Sequence, residues 1–453
     1  MIDDLKPYPA YKDSGLPWLG KVPSHWIIER AKGLFAKVER PVRPDDEHIT
    51  CFRDGTVTLR KNRRLRGYTE AIYELGYQGI RKGDLVIHAM DAFAGATGVS
   101  DSDGKGSPIY GVCQPKGNAN SHYYAVVVRE MARSQWILAL SRGIRERSTD
   151  FRFESFGRQY VPFPPPDEQA AIVRFLDHAN GKIERAIRAK RKLIGLLNEQ
   201  KQAIIHRAVT RGLDPAVKLK PSGIPWLGDV PEHWDLPLNQ RIFKEDIRPH
   251  NGKPEVPLSL SQRSGLIATA EMQERSLKTS TYANWKVTVP GDLVVNRFKA
   301  HLGVFFAATL RGMVSFHYGV FAPQRKSCTK YFELLYHTAP YRAIYAGRSN
   351  GMTVGLQNLS NQNFYNVRTI VPPFAEQLAI VAQTGTATAK LQLTITRIER
   401  EIELIREYRT TLTAEVVTGK LDVREAAKRL PAEAVELLPA DEELGEEAPD
   451  EAE

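Results

Sequence analysis

Ser14-Gly15-Leu16-Pro17-Trp18-Leu19-Gly20-Lys21-Val22-Pro23-Ser24-His25-Trp26 is written a second time as Ser222-Gly223-Ile224-Pro225-Trp226-Leu227-Gly228-Asp229-Val230-Pro231-Glu232-His233-Trp234. The copies stand 208 residues apart, and four of the six tryptophans of the chain fall within them. A motif this long, recurring in a chain so poor in tryptophan, marks an internal duplication.

The same offset aligns residues far outside the motif. Gly83-Asp84-Leu85-Val86 returns as Gly291-Asp292-Leu293-Val294, and Tyr110-Gly111-Val112 as Tyr318-Gly319-Val320. Pro164-Pro165, Glu168-Gln169 and Ile172-Val173 return as Pro372-Pro373, Glu376-Gln377 and Ile380-Val381. Val209-Thr210 and Leu213-Asp214 return as Val417-Thr418 and Leu421-Asp422. Between these anchors the halves diverge, as one scaffold presenting two different surfaces would.

Each half opens on a turn-rich Pro/Trp/Gly segment. A stretch of mixed α and β character follows, with strand-like runs such as Asp84–His88 and Trp285–Val289. A proline-rich break, Pro162–Pro166 or Val371–Phe374, then leads into a long helical pattern, for which Asp167 is the expected N-cap in the first half. Leu391, Ile395, Ile398, Ile402, Ile405, Arg409, Leu412 and Val416 alternate four and three apart. Ile183, Ile187, Lys190, Ile194, Leu197, Lys201, Ile204 and Ala208 hold the matching places in the first half. This 3.5-residue period is a coiled-coil seam, and each helix is the natural partner of the other. A helix of about 40 residues would be roughly 60 Å long. Lys201 and Arg409 interrupt the seam at one shared point, either to select register or to snorkel outward.

The predicted fold is therefore α+β. Two globular domains, 38–160 and 246–369, are joined by two long helices, 161–215 and 370–425, forming an antiparallel coiled coil with pseudo-twofold symmetry. Segments 1–37 and 216–245 carry the repeated motif. Residues 426–453 form an acidic tail expected to be disordered.

The formal net charge is +10. Ten carboxylates and no cation follow Arg429, so the remainder carries +20. That excess suggests a polyanionic partner. Cys51, Cys113 and Cys328 are odd in number and far apart, which fits reduced thiols rather than disulfides or a zinc site. No run approaches the roughly 18 apolar residues of a membrane span. Met1-Ile2-Asp3-Asp4 offers no secretory signal, and a cytoplasmic protein is expected.

The Ser14–Gly20 motif with His25-Trp26, and the Pro-Pro…Glu-Gln…Ile-Val start of each helix, resemble the specificity subunit of type I restriction-modification enzymes. The resemblance spans roughly residues 11 to 425 and includes the duplication. It implies two target-recognition domains, each reading one half of a split, asymmetric site in double-stranded DNA. It also implies two modification subunits that bind S-adenosylmethionine and two ATP-driven restriction subunits, with Mg expected on those partners and no cofactor in this chain. The acidic tail is no part of the family pattern. Independently, two modules on a rigid spacer suit half-sites about 34 Å apart on one DNA face.

A catalytic chain, a self-contained DNA methyltransferase or nuclease, is the alternative, and a coiled-coil assembly protein unrelated to nucleic acid is a third. Val371-Pro372-Pro373-Phe374 is like an amino-methyltransferase motif, but Val371 cannot accept a hydrogen bond from the target amine. Phe93–Gly98 reads as a turn rather than a cofactor loop. No phosphate-cradling loop and no His-Glu-x-x-His helix occurs. His25 and His233 are expected to pack beside their tryptophans. A catalytic site and a metal site are therefore not expected.

Basic clusters near aromatics are the candidate DNA contacts. In the first half these are Arg60, Lys61, Arg63, Arg64 and Arg66, followed by Tyr68. In the second they are Arg297, Lys299 and His301, with Arg263 and Arg348-Ser349-Asn350 in addition. Arginine pairs bidentately with guanine and asparagine with adenine, although most such side chains meet phosphate. Arg185, Arg188, Lys190, Arg191 and Lys192 either follow the DNA backbone or solubilise the coil.

Overall fold

The computed structural model describes residues 5–63, 74–140, 150–250, 254–262, 265–272, 284–349 and 358–431. The chain packs as two units, residues 1–190 with 401–453, and residues 191–400.

Both units carry the same four-stranded antiparallel sheet. In unit 1 the order is Phe35–Lys37, Tyr110–Pro115, Leu85–His88, Thr97–Val99. In unit 2 it is Phe243–Glu245, Tyr318–Pro323, Leu293–Asn296, Phe305–Ala307. The repeated Gly-Asp turn explains the central strand. Gly83 and Gly291 sit at φ +91° and +97°, where a Cβ would strain the backbone. Asp84 and Asp292 behind them are buried and accept two guanidinium N–H groups, from Arg40 and Arg248 respectively. They also accept the backbone N–H of Arg81 and of Val289. Burying a carboxylate is tolerated where its lone pairs are filled this way.

The expected long helices are present as Pro166–Arg211 and Phe374–Val417. Every residue named for the seam is buried or half-buried, with Ile187, Ile395, Leu412 and Val416 at 3% exposure or less. In unit 1 the start of the first helix runs against the end of the second. Glu184 meets Arg409 there, and Lys190 meets Glu401 at 2.5 Å. In unit 2 Lys201 meets Gln392 at 2.7 Å. Residue numbers rise on one helix as they fall on the other, so the pairing is antiparallel. Lys201 and Arg409 thus point at partners, and those partners, Gln392 and Glu184, are again 208 residues apart.

The cap expectation needs correction. The first helix begins at Pro166, and Glu168 and Gln169 donate their N–H groups to the Pro165 carbonyl. Asp167 therefore lies inside the first turn; a proline at the first helical position suits its fixed φ and missing N–H.

Residues near the N-terminus and near the end of the second long helix complete unit 1. Ile27–Arg30 pairs with Tyr160–Phe163, and Phe35–Lys37 is an edge of the first sheet. The short helix Arg424–Lys428 follows the second long helix, and Ala427 and Leu430 are buried in unit 1. Glu433 and the other tail carboxylates lie outside the described residues. Among the described residues no helix is long and apolar enough to cross a membrane.

Candidate nucleic-acid interface

Three repeated side chains fix each sheet-bearing domain to the long helices. Glu168 is 2% exposed; its Oε2 accepts the Trp26 indole N–H at 3.0 Å and lies 2.8 Å from His25 Nε2. Glu376 does the same for Trp234 and His233, at 3.0 and 2.9 Å. The histidines do pack beside their tryptophans, and the shared carboxylate is the reason. Gln169 donates to the Pro164 carbonyl and accepts the Asn120 N–H, at the start of the helix Ser121–Arg133. Gln377 does so for Pro372 and for Cys328, which precedes the helix Thr329–Tyr336. Finally Tyr123 donates to the Val417 carbonyl and Tyr331 to that of Val209, one turn-end each of the long helices. These contacts explain why Trp, Glu, Gln and Val-Thr recur while the residues between them do not.

On that common frame the candidate cations sit at different places. In unit 1 the 3-10 turn Arg60–Asn62 follows the strand Val57–Leu59. Arg60 Nε lies 3.4 Å from Thr50 Oγ1, and Lys61 is an exposed cation paired with Glu47 at 2.5 Å. Arg63 pairs with Asp54 at 2.5 Å and covers the Phe52 ring at 4.5 Å. Burial alone would raise the Asp54 carboxyl, but the Thr56 N–H and Arg63 outweigh it and hold it below the usual range. Arg64, Arg66 and Tyr68 lie outside the described residues.

In unit 2 the 3-10 turn Arg297–Leu302 is capped by Asn296, whose side chain accepts from the Phe298 and Lys299 N–H groups. Arg297 turns inward, with its Nη2 at 2.7 Å from both Glu245 Oε1 and Asn361 Oδ1. Lys299 is exposed and His301 half-buried. The turn packs against the helix Ala339–Arg348, whose last residue, Arg348, is exposed and directly precedes Ser349. Arg263 and Asn350 lie outside the described residues.

Sequence reasoning missed the aromatic residues beside Lys299. Phe298 and Phe316 are 40% and 48% exposed, and His317 lies against both rings, at 5.4 and 3.8 Å between centroids. A phenylalanine alone in sequence gives no sign that it faces outward. The equivalent positions in unit 1 are Met90, Pro108 and Ile109. Exposed rings beside a cation are suited to stacking on bases.

Cys51 and Cys113 are buried and free, and burial pushes the Cys51 thiol up to about 12. Val371 exchanges backbone hydrogen bonds with Asp235, which accounts for the Val-Pro-Pro-Phe run structurally. Gly95 ends the 3-10 turn Ala92–Ala94 at φ +89° and a strand follows, so this stretch is a turn. Among the described residues no group of three His, Cys, Asp or Glu is placed to hold a metal ion.

A solved chain described under complex assembly and conformational transition of the type I R-M system superposes with a TM-score of 0.62. It is 13% identical, and the match covers 87% of this chain and 98% of that one. The fold is that of a type I restriction-modification chain. The HsdS subunit from Thermoanaerobacter tengcongensis matches at TM-score 0.45 and 14% identity, over 88% of this chain and 98% of its own. The type I S subunit from M. genitalium matches at 0.35 and 11%, over 86% and 96%. No protein-family model matches the sequence.

Proposed function

We propose that this chain is the DNA-specificity subunit of a type I restriction-modification complex and performs no bond-making step itself. One observation carries the proposal: two units share the Trp, His, Glu, Gln and Tyr contacts of the frame yet place cations and exposed aromatics at non-equivalent positions. Arg60, Lys61 and Arg63 correspond to Ala268, Thr269 and Glu271, and Lys299 corresponds to Asp91. Two unlike readers on one frame suit an asymmetric, bipartite DNA site. Among the described candidates for DNA contact, Lys61, Lys299 and Arg348 are exposed and Arg60, Arg63 and His301 half-buried. Arg297 acts one step back, by holding the turn that carries Lys299. Two modification subunits with S-adenosylmethionine and two restriction subunits with ATP and Mg complete the proposed assembly, which would act in the cytoplasm.

Co-expression with the neighbouring methyltransferase gene, followed by mapping of methylated genomic positions, tests this. The expected result is a bipartite motif with an unspecific gap. A continuous palindrome, or methylation and cleavage by the purified chain alone, would overturn it. Exchange of residues 38–160 for a relative's equivalent should change one half-site only.

A further inference from the structure

Arg174, His178, Lys182, Arg185 and Arg188 follow one another at spacings of four and three on the first long helix, which places them on one face. Lys182 and Arg185 are exposed, and neither Arg185 nor Arg188 has an ion-pair partner among the described residues. Two carboxylates lie between Arg174 and Arg188 on the helix: Glu184 is engaged by Arg409, and Asp177 is exposed. Burial, and then the charges of Lys182, Arg185 and Arg174, hold His178 below the ordinary histidine value. The face is thus a stripe of concentrated positive charge.

The chain returns to the head of this stripe. Arg174 Nη2 donates to the Leu430 carbonyl at 2.7 Å and to that of Pro431 at 3.1 Å. From there residues 432–453 continue with ten carboxylates and no cation. Fully extended they reach roughly 70 Å, whereas Arg174 to Arg188 spans about 21 Å of helix. The anchor supplies a high local concentration of the tail at the stripe.

We propose that the acidic segment 432–453 lies along the Arg174–Arg188 face and masks it as an internal polyanion, which DNA must displace to reach it. Such masking suppresses binding of the basic body to arbitrary DNA without touching the surfaces that read sequence. The competition rests on the DNA-binding function proposed above; the contact itself does not.

Two measurements on the full chain test it. Carbodiimide coupling at low salt, read by mass spectrometry, should join Lys182 Nζ to carboxylates of 433–453. Coupling of the tail equally to lysines elsewhere, or to none, overturns the proposal whether or not the protein binds DNA. The second compares the full chain with one ending at Pro431 on a non-specific duplex at about 50 mM salt. Truncation should tighten binding by about five-fold or more, given the counterion release involved. Repeated in a Lys182→Glu/Arg185→Glu/Arg188→Glu background, the gain should fall below about two-fold. An undiminished gain there means that the tail acts only through net charge, and overturns the proposal. Absence of DNA binding by every variant counts against the proposed function and leaves the coupling result to decide the contact.

Discussion

Units 1 and 2 solve one structural problem with different chemistry. In unit 1 Glu168 is sealed from solvent, with Tyr8 and Arg424 also beside it; the Arg424 guanidinium lies 3.5 Å from its Oε1 and covers the Tyr8 ring. In unit 2 Glu376 is 26% exposed and has only the Trp234 and His233 contacts in common. The reason is topological. Residues 5–11 and 418–431 meet in unit 1, where Asp422 pairs with Lys6, while the equivalent stretch of unit 2 is the continuous run from 212 to 222. Equal motifs therefore do not mean equal burial, and removal of equivalent residues should have unequal consequences.

The largest effect should come from Glu168→Ala, which strands the indole N–H of the fully buried Trp26 and removes a charge that Arg424, still held by Asp422, also faces. A loss of roughly 2–4 kcal/mol in denaturant-induced unfolding is expected. Glu376→Ala, where water can replace the carboxylate, should cost roughly 1–2 kcal/mol. An equal or reversed ranking would break the comparison. At the proposed DNA-contact surface, Phe298→Ala should weaken DNA binding by about 1–3 kcal/mol with little change in melting. The loss should depend on one half-site, since unit 1 has Met90 there. Lys61→Ala should instead weaken all sequences alike and lower the salt slope by about one.

The pH response sharpens the contrast in a different way. Burial is the main cause holding His337 in unit 2, and His88 in unit 1, below the ordinary value. The unfolded chain therefore takes up these protons first on acidification. Their stabilising contribution is complete above about pH 6.5 and drains as pH falls towards the folded values. Melting temperature should decline from pH 7 to 5.5, and His337→Gln should flatten the decline; an unchanged slope would exclude His337 as a source. The smallest effect is expected at the seam. Glu184→Gln would make the Arg409 contact resemble that of Lys201 with Gln392, and should cost no more than about 1 kcal/mol, because the pair is half-exposed.

What the sequence made legible follows the same division. Duplication and seam were readable because the frame repeats its residues in register and the seam repeats every 3.5 positions. The bond from Trp26 to Glu168 spans 142 residues, and only the joint recurrence of both residue types hinted at it. The helix start at Pro166 was misplaced because Asp167 looked like a better cap than a proline pair. Arg297 and the Phe298–Phe316 surface were illegible in sequence, since inward and outward facings within a six-residue 3-10 turn are set by tertiary contacts with Glu245 and Asn361.

The amide of Gln169, and that of Gln377, bonds both the start of a long helix and the residue that caps a helix of the adjoining domain. Mechanically, this replaces a hinge with a weld. Torque applied to a long helix would pass into the attached domain through short, directional bonds, supported in each unit by the tyrosine-to-carbonyl bond to the end of the other long helix. Each sheet-bearing domain is therefore expected to move as a stiff body with the helix ends to which it is bonded, with no loop between them to absorb strain.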